Sequence, residues 1–150
     1  MKTSTTSGVD YQALAKFRFE IRRFLSASEQ IARAAGLEPQ QHQALLAIKG
    51  LPPQRAATVG VLAERLLIQH HSAVELVNRL QTKGLLKRAR GASDRRSVLL
   101  SLTSEGEKLL NKLVLTHRAE LRTARAKLLR SLETVMGRRS DLGKTHGASN

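Results

Sequence analysis

Between Leu62 and Thr103 the chain reads LAERLLIQHHSAVELVNRLQTKGLLKRARGASDRRSVLLSLT, and its apolar period changes there from about 3.6 residues to 2. Few folds accept that change over so short a stretch. Leu62 and Leu66, then Val74, Val77 and Leu80, recur at spacings of three and four, so each set draws one apolar stripe along a helix. Gly84 supplies the residue that stops the second helix. Leu86, Arg88 and Arg90 then lead into a Gly91-Ala92-Ser93-Asp94 turn, and Ser97 to Leu102 alternate on the way out. A helix pair followed by a two-stranded, arginine-tipped hairpin is the pattern of a DNA-binding winged helix.

The charge agrees with a phosphate-bearing partner. The 150 residues carry 26 Lys and Arg against 12 Asp and Glu, a formal charge of +14. Nine of the cations and three of the acids lie between Arg55 and Arg96, within the motif itself. An isolated charge run would read as a solvated face; here the charge coincides with the surface a winged helix turns to a duplex. Eight Lys or Arg against three acids between Arg118 and Lys144 add an excess outside the motif, suited to flanking DNA or to solubility.

With 41% hydrophobic residues the chain can build a modest core, and its length suits one domain. No apolar run approaches the roughly 20 residues of a membrane span, and Lys2 to Gly8 lacks the apolar centre of a signal peptide, so a cytoplasmic protein is expected. The absence of cysteine excludes a disulfide framework and any thiolate metal site. No nucleophile elbow, Gly-rich phosphate loop or paired catalytic carboxylates occur, so neither an enzyme nor a cofactor is expected.

The expected fold is mainly α with a small β-hairpin wing. Residues 1–9 and 138–150 read as polar tails, and residues 10–137 as the ordered body. Leu14, Phe17, Ile21, Phe24, Ser28 and Ile31 predict a long helix over 11–35, closed by Gly36. Pro39 suits the first position of the next helix, which carries Leu45, Leu46 and Ile48, although Glu38 is an indifferent cap. Thr58 is a good N-cap for the helix of Leu62 and Leu66. Ser104 and Glu107 stand in capping-box spacing, and Leu110, Leu113, His117, Leu121, Ala124, Leu128 and Val135 carry that last helix over about 104–136. Either it is continuous, or a turn near 117–122 is invisible in the pattern. The winged helix lies between, over about 39–103.

The two terminal helices carry more apolar stripe than one winged helix can cover, so a second copy of the chain is the expected partner, with Leu14, Leu113, His117, Leu121 and Leu128 at the interface. The competing arrangement is a monomer with both helices folded onto the core. A two-fold dimer would set its recognition helices about one turn of B-DNA apart, roughly 34–36 Å.

In four segments the sequence resembles the MarR family of bacterial transcriptional regulators, over about residues 10–136. LEPQQHQALLAIKGL is similar to the family's second helix, TVGVLAERL to its third, HHSAVELVNRLQTKGLLKR to its recognition helix and first wing strand, and DRRSVLLSLTSEG to its wing and following helix. The resemblance implies a homodimer joined through its terminal helices that binds a pseudo-palindromic operator in double-stranded DNA, usually as a repressor. It also implies, for many members, release by a small aromatic or anionic ligand. A non-specific architectural DNA-binding protein is the alternative that the charge alone would allow.

At the start of the recognition helix His70, His71, Ser72, Glu75 and Arg79 are candidates for reading bases or phosphates, while Ala73, Val74, Val77 and Leu80 should be core. A zinc site on the adjacent His70 and His71 is disfavoured, because neighbours on a helix diverge by about 100° and no Cys or acidic cluster supplies the remaining ligands. In the wing, Lys87, Arg88 and Arg90 suit phosphate contacts. Asp94, Arg95 and Arg96 match the family's Asp-X-Arg motif, which implies that Arg96 enters the minor groove and Asp94 orients it. A narrow groove has an enhanced negative potential that favours a guanidinium. Tyr11, Phe17, Ile21, Phe24, His42 and Leu45 could line an effector cleft, although apolar residues at helical spacing are more often core. Substituting Arg96 by Ala is expected to weaken operator binding roughly tenfold or more without lowering the melting temperature, as measured by fluorescence anisotropy and circular dichroism. Unchanged affinity would remove Arg96 from the interface.

Overall fold

Local signals set most element boundaries. The computed structural model describes residues 8–91 and 97–137. In chain order it contains α1 (Gly8–Ala34), α2 (Pro39–Lys49), α3 (Val59–Leu66), α4 (His70–Thr82), β1 (Leu86–Arg90), β2 (Val98–Leu102) and α5 (Ser104–Met136). The fold is mainly helical with one two-stranded antiparallel hairpin, as the change of period requires.

α1 begins at Gly8, inside the segment expected to be a tail, because no helix breaker separates Val9 and Asp10 from the periodic run. It ends where Gly36 adopts φ +81° and the Leu37 amide reaches back to the Ala32 carbonyl. α2 starts better than Glu38 promised: the Gln41 side chain accepts the Glu38 amide at 3.0 Å, half of a capping box that uses Gln in place of Glu. Thr58 caps α3 through its hydroxyl, which accepts the Val61 amide. Leu67, at φ 56°, turns the chain out of α3 and into α4. Gly84, at φ +73°, follows the end of α4 and lets the Leu85 amide bond the Leu80 carbonyl.

The core belongs to residues 28–118, one of two compact units into which the chain divides. It is built from Leu37, Leu45 and Ile48, Leu62, the Leu76-Val77-Leu80 face of α4, Leu86, Leu100 and Leu102 of the hairpin, and Leu110 and Leu113 of α5. Leu46, expected beside Leu45, is exposed instead, because its neighbours Leu45 and Ile48 already define the buried face of α2. In the hairpin Leu86 pairs with Leu102 and Arg88 with Leu100, and the Leu100 amide donates to the Ala57 carbonyl at 2.7 Å, which ties the strand to the segment before α3.

α5 is a single continuous helix of 33 residues, about 50 Å long, so no turn interrupts it near residues 117–122. Its cap is not Ser104. The Thr103 hydroxyl accepts the Gly106 amide at 3.1 Å and donates to the Gly84 carbonyl at 2.6 Å, so one side chain starts α5 and holds the turn that ended α4. That geometry brings Gly106 against the backbone of Leu85, where an added Cβ would lie 2.1 Å from the Leu85 carbonyl oxygen. Backbone cannot yield as a side-chain tip can. Gly106→Ala is therefore expected to cost at least about 1–3 kcal/mol, more than its gain in helix propensity returns, and to lower the melting temperature measured by circular dichroism. A variant as stable as the parent would show that α5 can shift away from Leu85.

The other unit contains residues 8–27 and 119–137 of the described chain. It holds most of the exposed large apolar side chains: Tyr11, Leu14, Phe19, Leu25, Leu121, Leu129, Leu132 and Met136. Ala13 is its one buried apolar residue among those described. No helix among the described residues is long and apolar enough to cross a membrane.

Candidate nucleic-acid interface

α4 divides into two faces. Ala73, Leu76, Val77 and Leu80 are buried, and at 100° per residue they cover one side of the helix. Val74, expected with them, lies on the flank and is half-buried; Leu76 takes the place the alternating count had passed over. The opposite side carries His71, Glu75 and Asn78 in one line, at i, i+4 and i+7, with Arg79 and the half-buried Ser72 beside it and His70 at the N-terminus. His70, His71, Glu75 and Arg79 are exposed, and Arg79 makes no ion pair among the described residues. This side presents donors, acceptors and a free guanidinium to solvent, the chemistry that base edges and phosphates require.

The wing strands place their cations differently. Lys87 and Arg90 are exposed, whereas Arg88 is half-buried on the face of β1 that also carries Leu86. Its guanidinium donates to the Gln81 side-chain carbonyl and, at 2.8 Å, to that of Asn78. Spacing alone offered Arg88 as one more phosphate contact; the pleat turns it towards α4. Gly91 and Ser97 close the described part of the hairpin with a 3.0 Å bond. Asp94, Arg95 and Arg96 lie outside the described residues.

The effector candidates divide between the two units. Tyr11 is exposed, and Phe17, Ile21 and Phe24 are half-buried, all in the unit of residues 8–27 and 119–137. His42 and Leu45 belong to the unit of residues 28–118, and Leu45 is wholly enclosed in its core. Two residues expected at a dimer interface are likewise occupied within their own chain: Leu113 is in that core, and His117 stacks on His42 with ring centroids 4.4 Å apart and planes 8° apart. Leu14 and Leu121 remain exposed and Leu128 half-buried.

Sequence spacing missed a further cluster in the unit of residues 8–27 and 119–137. Glu20 is buried, with the Lys16 ammonium 3.0 Å and the Arg23 guanidinium 3.7 Å from its carboxylate. The Lys16 ammonium holds the Glu20 carboxyl below its ordinary range against the opposing effect of burial. Beside it lies a cleft of about 300 Å³ lined also by Lys127, Arg130, Ser131 and Thr134, with more cations than acids. The i, i+3 and i, i+4 spacing of Lys16, Glu20 and Arg23 was visible; that the acid would be buried was not. Among the described residues no three His, Cys, Asp or Glu side chains are grouped to hold a metal ion.

The enclosure of His42 has a titration consequence. Burial, and secondarily the neighbouring His117, push the His42 pKa below its ordinary 6.5. The His42 Nε2 is buried without a hydrogen-bond partner, so a proton gained there finds no acceptor among the described residues. The unfolded chain then takes up more protons than the folded one below about pH 6.5, and stability falls as the pH drops through that value. Melting curves between pH 7.5 and 5 should show this loss, and His42→Gln should flatten it. An equally steep loss in the variant would place the titrating group elsewhere.

Comparison with known proteins agrees with this geometry. Residues 35–97, from just past α1 to the residue before β2, match the MarR family model. The chain is 30% identical over 118 residues to YkoM of Bacillus subtilis (strain 168), described as an uncharacterized HTH-type transcriptional regulator, covering 77% of this chain and 73% of that one. Among solved structures it resembles AbsC, a MarR family transcriptional regulator from Streptomyces coelicolor, with a TM-score of 0.72, 17% identity, and 96% and 100% of the two chains covered. It also resembles a point mutant of MepR from S. aureus bound to an oligodeoxyribonucleotide, with a TM-score of 0.61, 22% identity, and 89% and 94% covered. With its winged helix, the polar outer side of α4 and these relatives, the chain belongs to the MarR family of DNA-binding transcriptional regulators, which are not enzymes.

Proposed function

We propose that this chain is a sequence-specific regulator that binds a pseudo-palindromic operator as a homodimer and represses transcription from it. The observation that carries this reading is the outer side of α4, where His71, Ser72, Glu75 and Arg79 offer four different hydrogen-bonding chemistries above a closed core. A surface meant only for phosphates would need cations alone. The Asp94-Arg95-Arg96 match to the family's wing motif supports a minor-groove contact by Arg96, and the exposed Arg90 and Lys87 suit phosphate. The exposed Leu14, Leu121, Leu129 and Leu132 support the dimer, since a folded monomer rarely leaves so many large apolar groups in one small unit. A second copy covers them and supplies the second recognition helix. Release by a small anionic ligand completes the reading; the cationic cleft beside Glu20 is the surface that favours an anion over a neutral aromatic.

The test is anisotropy with the duplex upstream of the chain's own gene against a scrambled duplex of equal length, at several salt concentrations, for the parent chain and Leu121→Asp. The parent should elute as a dimer and prefer the first duplex by roughly a thousandfold or more. Leu121→Asp should elute as a monomer and keep only weak, salt-sensitive binding, because the interface would have to bury an unpaired carboxylate. Equal affinity for both duplexes, with a steep salt slope, would favour an architectural DNA-binding protein. A variant that stays dimeric would move the interface away from Leu121.

A further inference from the structure

The hydrogen bonds of Arg88 bear on how the hairpin and the recognition helix act together. Arg88 lies mid-strand in β1, across from Leu100 and on the same face as the buried Leu86. Strand pleating therefore points it over α4, whereas Lys87 and Ala89 point away. Its guanidinium is shared between Gln81 and Asn78, which are one helical turn apart on the flank of α4. Asn78 also belongs to the line of His71 and Glu75. The planar fork thus spans from the root of the hairpin to the edge of the reading side, with both acceptors neutral and no carboxylate involved. Lysine, with a point charge, would not hold both in fixed geometry.

We infer that Arg88 is a positioning residue, not a phosphate contact: it clamps the wing strand to the recognition helix and so sets the angle at which the two meet the duplex. The inference rests on the proposed DNA-binding role. Among the described residues Arg88 is the one basic side chain of β1 committed to protein acceptors, and it fixes elements that a two-stranded hairpin by itself would leave loosely related. Free DNA-binding proteins whose reading elements are already aligned lose less conformational freedom on binding. The clamp is solvent-accessible, so its contribution to global stability is small.

A double-mutant cycle tests this with variants that keep side-chain length, Arg88→Met, Gln81→Met and the pair. Each is measured by anisotropy over a salt series, on whichever duplex the parent chain binds best. Each single variant is expected to weaken binding about three- to tenfold, with the slope of log K against log salt unchanged and the pair no worse than the weaker single variant. Hydrogen exchange of the DNA-free chain adds a readout that a phosphate contact would not move: amides of β1 and β2 should exchange faster in Arg88→Met at an unchanged melting temperature. The inference is overturned if Arg88→Met reduces the salt slope by about 0.9 while Gln81→Met binds as tightly as the parent or more tightly, since freeing a phosphate-binding arginine would then help. Parental affinity and parental exchange in Arg88→Met overturn it as well. Loss of sequence preference in the parent itself would count against the regulator reading and leave this cycle readable on any bound duplex.

Discussion

One side of α4 is completely desolvated, and the rest of the DNA-reading unit follows from that. Ala73, Val77 and Leu80 have no exposed surface, so the helix cannot rotate by even one residue without driving a polar group into the core. The opposite side is thereby fixed towards solvent, and its polar line acquires a defined direction. Each large side chain so buried contributes about 1.5–3 kcal/mol, enough to hold the orientation against the modest demands of exposed hydrogen bonds. The hairpin hangs from the same anchor: Gly84 ends the helix, Leu86 enters the core two residues later, and the strand has no freedom in which face it turns inward.

The two units manage apolar surface in opposite ways. Residues 28–118 close a core of aliphatic side chains within one chain, and even the α5 residues Leu110 and Leu113 are consumed there. Residues 8–27 and 119–137 leave most of their leucines and two of their four aromatic residues, Tyr11 and Phe19, exposed while burying a carboxylate among lysine and arginine. Such a surface is unfavourable alone in water and suited to meeting a copy of itself, as proposed for this chain. Two of the five residues expected at an interface, Leu113 and His117, belong to the unit of residues 28–118, where Leu113 is buried in the core and His117 stacks on His42.

Charge shows why counting is not locating. The motif holds nine Lys or Arg, but their surroundings separate them. Arg55 is paired with Glu64, Lys83 donates to the Gly36 carbonyl, and Arg88 is held by Gln81 and Asn78. Arg79 has no ion-pair partner among the described residues and lies on the polar side of α4. In the proposed binding all of them attract a duplex at long range, whereas close contact is left to those without a prior partner among the described residues.

What the amino-acid order decided alone was local in origin. The spacing of Leu62, Leu66, Val77 and Leu80, the stop at Gly84, the Thr58 cap and the switch to alternation at Leu86 each act within a turn or two of chain, so the elements and the winged helix were legible from them. The polar side of α4 followed, since it is what remains when the apolar side is assigned. Contacts between residues far apart in the chain were decided by the tertiary structure. The Thr103 cap shared with Gly84, the contact that requires glycine at 106, the stacking of His42 on His117, the enclosure of Leu45 and Leu113, and the turning of Arg88 from solvent to α4 all depend on where a second element arrives. Periodicity states which side of a helix or strand is apolar; only packing determines what that side meets, and hence which polar groups are left free to meet DNA.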